Sequence, residues 1–453
     1  MPDEWVKWDR QFIWHPFTQM SEYLQEDPLI IERGRGNYLY DIRGKQYLDG
    51  VSSLWCNLFG HRRKELDRAI SVQLNRIAHS TLLGISNVPA IELAKRLVEI
   101  TPPRLTKVFY SDNGSTAVEV ALKMAFQYWQ QAERGRFASR TKFLTLVNAY
   151  HGDTIGAVSL GGIDLFHGAY TPLLFETYKA PSPYCYRCPL GLRPDRCQME
   201  CADEVERMVK KHQRTVAALV MEPMIQAAGG MIAQPPGYLR RMRELCTKYG
   251  VFLILDEVAT GFGRTGCLFA CQREGVEPDF LCLSKGLTGG YLPMAATLTT
   301  SEVFEAFLGR YEEFKTFFHG HTYTGNPLAA SAALATLDIF EHQRVLEKLP
   351  RKIKCLRRRL QGLADLTHVG DIRQAGFIVG IELIKSKRTK VPYAPKERMG
   401  YRVCLSARRQ GILIRPLGDI IVLMPPLSMT RPQIDLLADS VYHSIRLVTD
   451  HDS

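Results

Sequence analysis

Leu253-Ile254-Leu255-Asp256-Glu257-Val258-Ala259-Thr260-Gly261-Phe262-Gly263-Arg264-Thr265-Gly266 decides how this chain is read. The apolar run from Val251 to Leu255 predicts a strand buried on both faces, ending on an acidic pair before a Gly-rich turn. A second such run, Phe280 to Leu283, ends on Ser284-Lys285-Gly286. Upstream, Val108-Phe109-Tyr110, Phe143 to Val147 and Val216 to Met221 repeat the pattern, with amphipathic stretches Ala117 to Gln130 and Tyr238 to Tyr249 between them. Strands alternating with helices predict an α/β fold with a largely parallel sheet.

In such sheets ligands collect beyond the carboxyl ends of the strands, so the residues there are the candidates. Ser111-Asp112-Asn113-Gly114-Ser115-Thr116 opens a helix, and its free N–H groups and hydroxyls suit a phosphate. As an ordinary N-cap it needs no ligand. Tyr150 and His151 follow the next strand, where an aromatic ring can cover a planar cofactor. Asp256 can pair with a protonated ring nitrogen or a metal. Lys285 on a ligand face is unusual, because burying an ammonium is costly unless it is used. Read alone, it is a surface lysine on a loop. Read together, these residues supply what pyridoxal 5'-phosphate (PLP) requires: an amine for a Schiff base, a carboxylate for the pyridinium, a stacking ring and a phosphate site.

Composition sets the frame. At 453 residues the chain exceeds one hydrophobic core, so two domains are expected. The net charge of +11 is scattered in short clusters such as Arg357-Arg358-Arg359, which argues against nucleic acid. No apolar stretch is long enough to span a membrane, and the charged start, Met1 to Arg10, is unlike a secretion signal. Single cysteines in apolar runs, such as Cys246 and Cys404, fit a reducing, cytoplasmic setting. The expected division is an N-terminal segment 1–60, a large PLP-binding domain 61–327 and a small α+β domain 328–453. Residues 171–201 read as an irregular insertion.

That insertion holds Cys185, Cys188, Cys197 and Cys201 in a Cys-x2-Cys-x8-Cys-x3-Cys pattern. Paired thiolates at such spacings predict a zinc site or a 4Fe–4S cluster rather than two disulfides, with free thiols as the alternative.

The run Leu253 to Gly266, with Pro278-Asp279 and Ser284-Lys285-Gly286, resembles the signature of the class III aminotransferases. The resemblance implies a fold-type I PLP-transferase: a large domain on a mostly parallel seven-stranded sheet, a smaller α+β domain, and a homodimer sharing its active sites. It implies that Gly114, Ser115, His151 and Val258 hold the cofactor and that Tyr150 stacks on it. Asp256 would pair with its ring nitrogen and Lys285 would be its Schiff-base lysine and catalytic base. Thr322 would reach the phosphate from the partner subunit. Within the class, Trp14-His15-Pro16-Phe17-Thr18, Gly50 to Trp55, Tyr150 to Thr154 and Ile414-Arg415-Pro416-Leu417-Gly418 resemble the biotin-pathway branch. That branch aminates 8-amino-7-oxononanoate (KAPA). The substrate residues so implied are Phe17, Trp55, Arg264, Gly320 and Arg415, with Arg415 on the KAPA carboxylate and Arg264 on the amino donor. Phe17 and the Leu54-Trp55 pair depart from the pattern of members using S-adenosylmethionine and resemble those using L-lysine. The alternative is an ω-amino acid or diamine:pyruvate aminotransferase of the same class.

Overall fold

The computed structural model describes residues 2–450; Met1 and residues 451–453, the ends of the first and last expected regions, lie outside it. Seven strands build the central sheet: β1 (Leu105–Ser111), β2 (Lys142–Leu146), β3 (Tyr178–Ala180), β4 (Val216–Met221), β5 (Phe252–Asp256), β6 (Phe280–Leu283) and β7 (Ala295–Thr300). Their order is β1-β7-β6-β5-β4-β2-β3. Only β7 runs antiparallel to its neighbours, β6 and β1. Every residue of β4, β5 and β6 is buried, as strands covered on both faces must be.

Helix α1 (Gly114–Gln131) covers one face through Ala117, Val118, Ala121, Leu122 and Ala125, and Trp129 Nε1 donates to the Ala217 carbonyl at 3.0 Å. Helix α2 (Tyr238–Tyr249) lies on the other face and stops at Gly250, whose φ of +60° permits the left-handed cap. Two details depart from the sequence reading. Strand β7, Ala-Ala-Thr-Leu-Thr-Thr, was not expected. Its threonines are hidden because Thr297 Oγ1 donates to the Ala117 carbonyl (2.7 Å) and Thr299 Oγ1 to that of Asp279 (3.1 Å). The segment 171–201 is also not wholly irregular, because β3 within it extends the sheet parallel to β2.

Beyond α3 (Pro327–His342) and α4 (Val345–Leu360) lies a four-stranded antiparallel sheet. It comprises β8 (Val369–Ala375), β9 (Ile378–Leu383), β10 (Arg415–Leu417) and β11 (Ile420–Leu423), in the order β8-β9-β11-β10. The N-terminal strands 31–35, 38–41 and 46–49 form a separate sheet completed by Ile412–Leu413, which pairs parallel to Gln46–Asp49. The chain's two ends thus meet in one layer. Among the described residues, no helix is long and apolar enough to cross a membrane.

Candidate active site

The carboxyl ends of β1, β2, β4, β5 and β6 converge on one cavity of about 710 Å³. Asn113 to Ser115, Tyr150 to Thr154, Glu222, Asp256, Val258, Lys285 and Trp55 line it. All but Trp55, which the N-terminal segment supplies, arrive because a buried strand ends and the chain must turn over the sheet edge.

Asp256, the last residue of β5, is buried and fixed on both oxygens. Oδ1 accepts the Val258 N–H at 3.0 Å and Oδ2 lies 2.7 Å from His151 Nδ1. His151 Nδ1 thus holds Asp256, while His151 Nε2 is buried and has no hydrogen-bond partner among the described residues. Lys285 opens a short 3-10 turn after β6 with a φ of +45°, a strained backbone value for a non-glycine residue. What it exposes lines the cavity, its Nζ lies 5.1 Å from the centroid of the Trp55 ring, and burial lowers its pKa. A lysine so treated gives up its proton more easily and becomes a nucleophile.

At the N-terminus of α1, Asn113 caps the helix by accepting the Thr116 N–H at 3.1 Å. A Cβ placed on Gly114 would come within 2.6 Å of Val258 Cγ1, so only glycine lets the helix start this close to the Asp256 loop. Ser115 Oγ accepts the Asp153 N–H at 3.0 Å, joining the helix to the loop after β2. From that loop, Tyr150 donates to Asp153 Oδ2 at 2.8 Å; burial first, then that bond, raises its phenol pKa.

The remaining expected residues are placed elsewhere. Gly320 and Thr322 are exposed and border a neighbouring cavity with Leu83, Ile91 and Phe318, not the one holding Lys285. Phe17 is exposed with a φ of +51°, its ring 5.4 Å from Phe166, which in turn lies 6.4 Å from Tyr150. Arg415 starts β10 and is exposed. Arg264 is fully buried: its guanidinium donates to the carbonyls of Pro425 (2.7 Å), Asn57 (3.0 Å) and Trp55 (3.3 Å). Burial without a carboxylate partner lowers its pKa to about 10. Its side chain therefore braces the Trp55 backbone.

The expected metal centre is corrected by the structure. Among the described residues, no group of three or more His, Cys, Asp or Glu side chains is arranged to hold a metal. Cys185 is exposed and Cys201 buried, while Cys197 Sγ donates to Glu200 Oε2 at 3.1 Å. Burial first, then the neighbouring thiols, raises the Cys201 thiol to about 11 and also raises Cys185. The insertion is instead held by ionic contacts. Tyr184 and Arg187 both bind Glu382 on β9, Arg187 at 2.6 Å, and Arg373 on β8 meets the same carboxylate at 2.6 Å.

Glu222 was missed. It directly follows β4, so the strand-end rule that found Asp256 and Lys285 applies to it equally. The carboxyl is buried, and that burial, reinforced by the nearby Asp256 charge, raises its pKa to about 8.

The class-III aminotransferase family model matches residues 21–445. The chain is 56% identical over 443 residues to a Geobacter sulfurreducens protein named adenosylmethionine-8-amino-7-oxononanoate aminotransferase, covering 98% of this chain and 97% of that one. A Methanocaldococcus jannaschii protein of the same name is 53% identical, with 97% of each chain covered. The crystal structure of the Methanocaldococcus jannaschii enzyme superposes with a TM-score of 0.94 over 99% of both chains, at 52% identity. An amine transaminase from an uncultivated Pseudomonas species, solved with PLP bound, gives 0.91 at 38% identity over 96% of this chain and 98% of that one.

Proposed function

Because the chain belongs to the class III aminotransferases, a family of PLP-dependent transaminases, we propose that it transfers an amino group to KAPA, giving 7,8-diaminononanoate for biotin synthesis. The observation that carries this is the convergence of Lys285, Asp256, His151 and the α1 N-terminus on one cavity. The donor set fits PLP: a lysine of lowered pKa, a buried carboxylate held on both oxygens, and a helix start kept open by Gly114.

When bound, PLP supplies an electron sink that stabilises negative charge at the substrate carbon. The protein's residues do the rest. Asp256 keeps the ring nitrogen protonated, and His151 holds Asp256 in place. Gly114 and Ser115 take the phosphate, with Val258 packed against that turn, and Tyr150 covers the ring. Lys285 holds the cofactor and, once displaced by the amino substrate, moves the proton at the substrate carbon. Trp55, braced by Arg264, forms an apolar wall beside it, and Arg415 offers a fork to the KAPA carboxylate. Phe17 remains the proposed donor-side residue, whereas Arg264, fully buried on three carbonyls, is placed to act only through Trp55.

The reaction is proposed to alternate two half-reactions on a homodimer, with Gly320 and Thr322 of one subunit completing its partner's site. Exposed Leu83, Ile91 and Phe318 beside those two residues support an interface there. We take 1–60, 61–327 and 328–453 as the domain division and the cytoplasm as the setting, where unpaired cysteines stay reduced. S-adenosylmethionine, the donor in the relatives' name, is the first reading. L-lysine is the second, favoured by Phe17 and the Leu54-Trp55 pair. Incubating the PLP-loaded protein with each donor and following the bound-cofactor spectrum, then adding KAPA, tests both. Product formation with either donor supports KAPA amination. Conversion of pyruvate but not KAPA replaces it with the ω-amino acid reading.

A further inference from the structure

Glu222 has a free oxygen that no role described so far uses. Its main chain is pinned by Gln234 Nε2, which donates to the Glu222 carbonyl at 2.7 Å. Its side chain is pinned by the Ala227 N–H, which donates to Oε1 at 3.0 Å. Oε2 is buried and has no partner, although the residue lines the same cavity as Lys285 and Asp256. An unmade hydrogen bond on a buried polar atom costs stability, so such an atom in a binding cavity points to a ligand.

The state of that oxygen follows from its neighbours. A second negative charge close to Asp256, with burial on all sides, is opposed, and the carboxyl keeps its proton through neutrality. The Ala227 N–H occupies Oε1 and the Tyr150 N–H also faces the carboxyl, so Oε2, which has no hydrogen-bond partner, is the oxygen free to carry the hydrogen and donate it. His151, whose Nε2 is the other orphan near Asp256, is already committed to that carboxylate through Nδ1.

PLP has four polar attachments. On the proposed function, on which this inference rests, the phosphate goes to Gly114 and Ser115, the ring nitrogen to Asp256 and the formyl carbon to Lys285. The ring hydroxyl oxygen would be left without a partner from the protein. We propose that Glu222 is a cofactor-binding residue whose Oε2 donates a hydrogen bond to that ring oxygen. Such a donor holds the ring in register with Lys285. It also favours the form of the cofactor in which the oxygen bears full negative charge.

The test uses the full-length, PLP-loaded protein and two readouts independent of turnover: PLP retention on dialysis, and the pH at which the bound chromophore titrates. Glu222→Ala removes the donor. It should weaken PLP binding about tenfold and raise the titration point by about one pH unit. Glu222→Gln can still accept from Ala227 and donate an amide N–H, so it should stay close to wild type in both. Unchanged behaviour in Glu222→Ala, or a Glu222→Gln protein that behaves like Glu222→Ala, overturns the proposal. Trp55 Nε1 is the other unpartnered donor on the cavity wall. A shift in Trp55→Phe with none in Glu222→Ala transfers the role there and overturns it equally. If Glu222→Ala does not fold, Glu222→Met, which keeps the bulk and lacks the donor, takes its place with the same expected and overturning results. A wild-type protein that binds no PLP would bring down the cofactor reading beneath the proposal, an outcome distinct from all of these.

Discussion

The strand-end cavity and the cysteine-bearing insertion are both clusters of reactive side chains, but they are built in opposite ways. The cavity gathers Trp55, Ser115, His151, Glu222, Asp256 and Lys285 from segments far apart in the chain. Parallel strands all end on the same sheet edge, so residues just past them meet whatever their separation in sequence. The four cysteines lie close together in sequence and their thiols remain near enough to raise one another's pKa, yet they form no metal-holding group among the described residues. The insertion's firm attachment is Tyr184 and Arg187 on Glu382, which ties it to β8 and β9 rather than to an ion.

The contrast can be broken at either end. Lys285→Ala should abolish amino transfer, by roughly three orders of magnitude or more, measured in single-turnover assays with KAPA. Unchanged turnover would mean that the cavity is not the reaction centre. Next in size, Glu382→Ala takes one of two carboxylates from the buried Arg373, leaving it Asp371, and frees Arg187 and Tyr184. It should destabilise the protein by about 3 kcal/mol in chemical denaturation. A change too small to detect would show that the ionic clasp does not hold the insertion.

The cavity also predicts a pH signature in the cofactor-free protein. The Glu222 carboxyl keeps its proton up to about 8 when folded, against 4.5 ordinarily, so the folded state binds more protons between those values. Stability should therefore fall as pH rises through that window, on the order of 1 kcal/mol per pH unit. Glu222→Gln should flatten the slope, read as the melting temperature of variant and wild type at each pH. The smallest effect belongs to the insertion: a chelator of zinc and iron should leave both melting temperature and turnover unchanged. A large loss of either would restore the metal centre that the geometry removes.

Most of the cofactor side of the cavity was legible because each residue is announced locally. Asp256 and Lys285 end continuous apolar runs, and Gly114-Ser115 opens an amphipathic helix. Glu222 was equally announced, by Val216 to Met221, and went unread. Strand β7 was hidden because half of it is threonine, and nothing local reveals that Ala117 and Asp279 offer carbonyls to those hydroxyls. Arg264 carried a free charge in the sequence. In the fold that charge is spent on three carbonyls.

By itself, then, the sequence determined the class of fold, the family signature and the reactive residues at the strand ends. Those depend on burial periodicity and on residue types a few positions apart. Only the tertiary structure decided which side chains share a space. It brought Glu222 beside Asp256, committed Arg264 to the backbone, set Gly320 and Thr322 on a neighbouring cavity and left the cysteines without a metal-holding arrangement among the described residues. Those outcomes depend on where a chain turns over a sheet edge and on which carbonyls lie within reach, distances that no local pattern encodes.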